Sequence, residues 1–307
     1  MAKHPVLVLG PLMPYLLEEL ERRYAVERLY EEKDALGFLQ QNAARFRAAV
    51  TSTFTGLKAD MIDLLPAVEI VSSFGVGTDS LDVAYANKKG IKVANTPDVL
   101  NEDTANMAIA LLLATTRDIV ANDRFVREGR WARGETPPLA QGIEGKKVGL
   151  VGLGRIGSVI AEKLLAFGCD VTYHTRNKKP DVSYNHCADL VAMARDCAVL
   201  IAILPGGDAT QGIISREVLQ ALGSKGTFIN IARGSVVDEV ALVELLQSGG
   251  LGRAGLDVFA DEPRAPEALF ALDNVVLQPH MGSATVETRE AMADRVVSNL
   301  ENYFGAK

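Results

Sequence analysis

The chain has 307 residues, 48% hydrophobic and 23% charged, a balance that supports about two packed domains and excludes a disordered or low-complexity protein. Its formal net charge of −7 argues against nucleic acid or an anionic membrane surface as partner, because both demand a basic face. Three cysteines without CxxC spacing suit the reduced thiols of a cytoplasmic protein better than a disulfide or zinc framework.

In chain order, the apolar stretch 5–17 is interrupted by Gly10, Pro11 and Pro14 and runs into Glu18, Glu19 and Glu21 without a small-residue cleavage site. It therefore reads as a strand over residues 6–9 and a helix over 13–24, not as a signal peptide. Strands over 48–51, 70–74 and 92–94 complete a first α/β block that resembles a small flavodoxin-like sheet. From Asn101 a long apolar helix is predicted to run to residue 126 and to lead into a polar loop, 127–141, that carries the only tryptophan, Trp131. A long ordered loop usually has a use, and packing against a second subunit is the expected one. Apolar runs at 148–151, 199–204, 227–231, 254–258 and 275–277 predict a second set of parallel strands, and a helix over 283–303 closes the chain. No apolar segment reaches the ~20 residues a membrane span requires.

The second block opens with the most informative stretch of the chain. A buried strand, the turn Gly152-x-Gly154-x-x-Gly157, a helix with Ile156, Val159, Ile160 and Leu164 on one face, and a second strand follow one another directly. Gly152 permits the tight turn, Gly154 lets the backbone approach a pyrophosphate, and Gly157 allows close helix packing, so a dinucleotide site of the Rossmann type is expected. A site selective for NAD carries an acidic residue about 20 positions on, for the ribose 2′-hydroxyl. This chain has Thr175, Arg176 and Asn177 there, followed by Lys178 and Lys179. A guanidinium paired with phosphate contributes roughly 1.5–3 kcal/mol, and a carboxylate there would repel it, so NADP(H) is expected over NAD(H). The competing reading is a solvated basic loop.

Several motifs together resemble the D-isomer-specific 2-hydroxyacid dehydrogenases. They are Gly75-Val76-Gly77-Thr78-Asp79, Asn95-Thr96-Pro97-Asp98, the glycine turn, Asn230-Ile231-Ala232-Arg233-Gly234, Leu256-Asp257-Val258-Phe259, Asp261-Glu262-Pro263 and Pro279-His280-Met281-Gly282-Ser283. They occur in the family's order over nearly the whole chain, and the pattern is most similar to the NADPH-dependent glyoxylate/hydroxypyruvate reductase branch, with its hydroxyphenylpyruvate and 2-ketogluconate reductase relatives. The resemblance implies two doubly wound parallel-sheet domains. A Rossmann domain over 99–283, with a dimerisation helix and loop at 101–141, would be inserted in a flavodoxin-like substrate domain of 1–98 and 284–307. A cytoplasmic homodimer is implied, with no nucleic acid or membrane partner.

The matched residues suit the reduction of a 2-keto acid. Arg233, a planar and permanently charged fork, would anchor the substrate carboxylate. His280 would give the developing alkoxide its proton, and Glu262 would hold the other ring nitrogen and favour the imidazolium. Backbone N–H groups at Val76 and Gly77 would meet the carboxylate. The cofactor cradle implied by the resemblance comprises Thr104, Gly152, Gly154, Arg155, Ile156, Gly157, Thr175, Arg176, Asn177, Leu204, Pro205, Thr210, Ile231, Ala232, Arg233, Asp257, His280 and Gly282. Asp257 would take the carboxamide and Leu204-Pro205 the adenine. The segment Gly206 to Thr210 departs from the Leu-Thr that many relatives carry after the proline, which weakens the adenine-side assignment. Trp131 is open to two readings, reaching a neighbouring subunit's active site or anchoring an interface. His4, His174 and His186 have no catalytic setting, and no metal-ligand spacing occurs. The competing function from another class is a dinucleotide-sensing scaffold like the C-terminal-binding-protein corepressors, which share this fold.

Overall fold

The computed structural model describes residues 3–305. The chain divides into two units, one of Met1–Leu100 with Thr285–Lys307 and the other of Asn101–Ala284.

In the first unit, β1 (Pro5–Val8), α1 (Pro14–Arg23), β2 (Ala25–Arg28), α2 (Ala35–Asn42), β3 (Ala48–Ser52), α3 (Ala59–Asp63), β4 (Ile70–Phe74), α4 (Val83–Lys88) and β5 (Lys92–Ala94) alternate along the chain. The five strands are parallel in the order β2-β1-β3-β4-β5, the flavodoxin-like winding. Strands β3 and β4 are buried at every position, which is why each reads as a run of apolar and small residues. Strand β2, with sequence AVER at the sheet edge, was not among the expected strands because it has neither an apolar run nor alternation. The C-terminal helix (Val286–Gly305) was expected from residue 283 and starts three residues later. Thr285 fixes the start, because its Oγ1 accepts the Thr288 N–H at 3.2 Å as an N-cap does.

The second unit begins with α5 (Asn101–Thr116) and α6 (Ile119–Arg127), two helices where one was expected. The chain bends by 56° between them, and Asp118 adopts a left-handed φ of 51°. Its carboxylate is held bidentately by Arg253, at 3.1 Å to Nε and 2.8 Å to a terminal nitrogen, so a partner far along the chain sets the break. Among the described residues no single helix is long and apolar enough to cross a membrane.

There follow β6 (Lys147–Val151), α7 (Arg155–Ala166), β7 (Asp170–His174), β8 (Asn185–His186), α8 (Leu190–Asp196), β9 (Val199–Ala202), α9 (Arg216–Leu222), β10 (Thr227–Asn230), α10 (Glu239–Ser248), β11 (Arg253–Leu256) and β12 (Val275–Leu277). All seven strands are parallel, in the order β12-β11-β10-β9-β6-β7-β8. The winding reverses between β6 and β9, the switch point at which open α/β sheets bind ligands beyond the strand C-termini. The runs expected at 199–204, 227–231 and 254–258 outlast their strands, because Leu204, Ile231 and Val258 stay buried after leaving the ladder. Those buried loop residues lie at the sheet edge where the site is built.

Candidate active site

The turn after β6 is shaped by two glycines that admit no side chain. A Cβ at Gly152, whose φ is 104°, would lie 2.8 Å from the Ile203 carbonyl oxygen, and one at Gly157 would lie 2.7 Å from the Gly152 carbonyl oxygen. Gly154 differs, since a Cβ there would meet no protein atom within 4 Å. Space is therefore kept open in front of the α7 N-terminus. Asp189, Ser215 and Asp238 cap α8, α9 and α10 with their side chains, yet α7 starts at Gly154 with no side-chain cap. A first turn leaves its N–H groups without intrahelical acceptors, and a positive dipole end adds to them, so this uncapped terminus fits a dinucleotide pyrophosphate at Arg155, Ile156 and Gly157.

The basic loop stands beside that turn. Gly152 N–H donates to the His174 carbonyl at 2.9 Å, which places the end of β7, and with it Thr175, next to the glycines. Arg176, Asn177 and Lys178 are exposed, and Arg176 makes no ion pair with any described residue. The Thr175 hydroxyl donates to the Asn177 carbonyl at 2.7 Å. On the other side of β6, Gly152 packs against Ile203 and Leu204, so the turn that starts at Leu204-Pro205 also borders the glycines. Thr210 closes that turn, its hydroxyl lying 2.7 Å from the Pro205 carbonyl and 3.1 Å from that of Gly207.

Arg233, Glu262 and His280 come from the loops that follow β10, β11 and β12. A Cβ at Gly234 would fall 1.9 Å from the Phe259 carbonyl carbon, so only glycine lets the Arg233 loop seat on the segment that leads to Glu262. Within that loop Asn230 accepts the Ala232 N–H at 3.1 Å and donates to the Arg233 carbonyl at 3.0 Å. The guanidinium donates to the Ala232 carbonyl at 2.7 Å. Glu262 Oε1 accepts the Phe259 N–H at 3.1 Å, and Oε2 lies 2.7 Å from His280 Nδ1. Because a carboxylate accepts, Nδ1 carries the hydrogen between them.

His280 has a left-handed φ of 55°, a conformation that a non-glycine residue keeps only when its surroundings enforce it. Asp257 enforces it. Its backbone carbonyl accepts the His280 N–H at 2.8 Å, and its carboxylate accepts the N–H groups of Met281 at 2.6 Å and Gly282 at 2.9 Å. Burial pushes the Asp257 carboxyl above its ordinary range, and those two N–H bonds only partly offset it. Burial also raises Glu262, but the hydrogen bond and charge of His280, the Phe259 N–H and the charge of Arg233 together prevail and leave it below its ordinary range.

Comparison with known proteins gives this arrangement a family. Residues 109–282 match the family described as D-isomer specific 2-hydroxyacid dehydrogenase, NAD binding domain. The chain belongs to the D-isomer specific 2-hydroxyacid dehydrogenases. This dehydrogenase is 47% identical over 302 residues to hydroxyphenylpyruvate reductase of Plectranthus scutellarioides, covering 98% of this chain and 96% of the relative. The figures are the same for glyoxylate/hydroxypyruvate reductase A HPR2 of Arabidopsis thaliana. Among solved structures, the NADPH-dependent glyoxylate/hydroxypyruvate reductase SmGhrB of Sinorhizobium meliloti, in complex with NADP and malonate, matches with a TM-score of 0.92 and 43% identity. That match covers 99% of this chain and 94% of that one. The protein is thus an oxidoreductase with a nicotinamide dinucleotide cofactor.

Within the dehydrogenase, the structure joins Glu262 to His280 and Asp257 to Met281 and Gly282 directly. Thr104 is buried in the first turn of α5, 3.5 Å from where a Cβ on Gly282 would stand. Val76 and Gly77 follow β4 in the first unit, where Asn95 donates to the Val76 carbonyl at 2.8 Å. The supporting roles of Asn230 and Asn95 were not foreseen, although both sit inside motifs that were quoted. Their signal, an asparagine at a strand end three residues before or within a few residues of a ligand loop, is common to many turns.

Proposed function

We propose that this dehydrogenase reduces a small 2-keto acid, glyoxylate or hydroxypyruvate, to the D-2-hydroxy acid with NADPH, and that His280 donates the proton. When bound, the cofactor supplies the hydride to the carbonyl carbon. The carbonyl oxygen takes its proton from His280 Nε2, because Nδ1 is engaged by Glu262. Glu262 fixes the ring and stays ionised beside it, with a carboxyl held below its ordinary range once burial is outweighed by its partners. Arg233 carries the substrate carboxylate, its fork oriented by the Ala232 carbonyl, and the Val76 and Gly77 N–H groups are proposed to share that carboxylate. Asp257 holds the His280 loop and is proposed to reach the carboxamide through its remaining acceptor capacity. Leu204, Pro205, Thr210, Ile231 and Ala232 complete the proposed cofactor cradle.

The observation that carries this reading is the 2.7 Å His280–Glu262 contact in the same cluster of loops as Arg233. NADPH preference is supported by the exposed Arg176, which pairs with no acid among the described residues and stands where an NAD site would have an acid. The test is an initial-rate panel with NADPH and NADH against glyoxylate, hydroxypyruvate, hydroxyphenylpyruvate, 2-ketogluconate and pyruvate. Rapid NADPH-linked turnover of glyoxylate or hydroxypyruvate is expected. Preference for hydroxyphenylpyruvate or 2-ketogluconate would move the substrate assignment, and tight dinucleotide binding without any turnover would favour the scaffold reading.

We further propose a cytoplasmic homodimer. Its support is the exposed apolar side chains of α6 and the loop beyond it, Ile119, Val120, Val126, Trp131 and Leu139, the last two exposed by 69% and 95%. Cys169, Cys187 and Cys197 are all free thiols. A sedimentation-velocity mass near 33 kDa, the monomer value, would remove the dimer.

A further inference from the structure

Two side chains outside the proposed cofactor cradle hold both ends of the basic loop. Tyr173, on β7, is fully buried, and its hydroxyl accepts the Lys179 N–H at 2.9 Å. His186 lies opposite Tyr173 in the β7–β8 register, and its Nε2 is 3.0 Å from the Thr175 carbonyl. A carbonyl can only accept, so Nε2 is the protonated nitrogen. The two rings pack at 5.1 Å between centroids, tilted by 53°. Thus the residues on either side of Arg176, Asn177 and Lys178 are tied to one aromatic pair. Inside the loop, the Thr175 hydroxyl already donates to Asn177, which leaves it able to accept but not to donate. Phosphate oxygens accept, so Thr175 closes the loop and leaves recognition of an anion to its neighbours.

We infer that Tyr173 and His186 are positioning residues for dinucleotide selectivity, which fix the Arg176–Lys178 backbone in its ligand-binding shape before a 2′-phosphate arrives. The inference rests on the proposed NADPH preference. A loop of exposed cations that was also free to move would have to be ordered on binding, at the expense of affinity, whereas this one is ordered during folding. The glycine turn is set by the backbone packing of Gly152 and Gly157 and by the Gly152 N–H on the His174 carbonyl, none of which uses the Tyr173 or His186 side chain, so loosening the brace leaves the shared pyrophosphate site in place.

The experiment is calorimetric titration of the full-length protein with adenosine 2′,5′-bisphosphate and with AMP, beside Michaelis constants for NADPH and NADH. Tyr173→Phe deletes one hydroxyl from a buried ring and His186→Leu deletes one donor. Each is expected to weaken the bisphosphate about fivefold to tenfold, the effect of one lost hydrogen bond, while AMP changes less than about twofold. The NADPH Michaelis constant should rise in step, with turnover and NADH kinetics unchanged. His186→Gln, which keeps a side-chain N–H donor, should recover most of the loss. Equal weakening of both nucleotides, or no weakening of either, would overturn the inference and reduce the pair to a structural role. Arg176→Ala separates the two ideas. If it abolishes the preference for the bisphosphate while the brace variants retain it, the inference alone fails. If the wild type binds both nucleotides equally, the NADPH reading fails and the inference falls with it.

Discussion

Around Arg233, Glu262 and His280 the backbone itself is fastened, by a glycine that admits no Cβ, a buried aspartate holding two N–H groups and an asparagine bridging its own loop. The loop 175–179, at the same edge of the same sheet, leaves Arg176 and Lys178 exposed and is held at its ends and by the Thr175 hydroxyl on the Asn177 carbonyl. Proton transfer needs donor and acceptor within a fraction of an ångström, and a partly dehydrated setting strengthens each charge there. Discrimination between two cofactors needs only a cation that one of them will meet, which an exposed arginine can supply at little cost to stability. The difference shows where this fold can vary without losing its chemistry.

That contrast makes graded demands on mutants. His280→Ala should lower turnover by roughly 10²–10⁴-fold, the range for a lost general acid, with dinucleotide affinity retained. A near-normal rate would take His280 out of the reaction. In Arg176→Ala the Michaelis constant for NADPH should rise about tenfold to a hundredfold, the value of one charge-assisted phosphate contact, and that for NADH should hold steady. An equal rise for both cofactors would mean that the loop supports the fold and not selectivity.

The glycines supply a paired test. Gly234→Ala forces a methyl against the Phe259 backbone, so its unfolding temperature should fall by more than the ~1–3 kcal/mol usual for overpacking implies. Gly154→Ala meets no protein atom and should keep its unfolding temperature while binding dinucleotide more weakly. Thermal scans with and without cofactor compare the two, and equal melting losses would contradict the open space in front of α7.

The smallest effect is a pH dependence of stability. The Glu262 carboxyl lies below its unfolded value of 4.5, so its contribution is fully present above that value and is lost as pH falls through the lower, folded one. The urea midpoint of the wild type should therefore exceed that of Glu262→Gln by more at pH 7 than near pH 3. A constant gap would show that Glu262 acts through shape and not through charge.

Much of this was legible in the sequence, for reasons that particular residues make plain. A parallel strand buried on both faces announces itself as an apolar or small-residue run, as in β4, and the ends of β4 and of the edge strands β5 and β12 fell where they were expected. The glycine turn was legible because backbone geometry excludes every other residue at Gly152 and Gly157. Strand β2 was hidden, since an edge strand with sequence AVER gains its pairing from β1 and not from its own pattern. The α5–α6 break was hidden too, because nothing near Asp118 marks it apart from a charge whose partner is Arg253. The ordered Arg, Glu and His motifs named the candidate site, but the left-handed backbone of His280 and its fastening by Asp257 could not be read from either residue alone.

By itself, then, the sequence determined the α/β class, the dinucleotide turn, the basic character of the loop after β7 and the identity of the chemical groups, all properties set by residues close together in the chain. Only the tertiary structure decided which atoms of those groups face one another, where the long helix breaks, and how an exposed loop comes to be held by a buried tyrosine and a histidine on the next strand. Local patterns fix what a segment can become, and contacts between distant segments fix which carboxylate, carbonyl and ring nitrogen end within hydrogen-bonding reach.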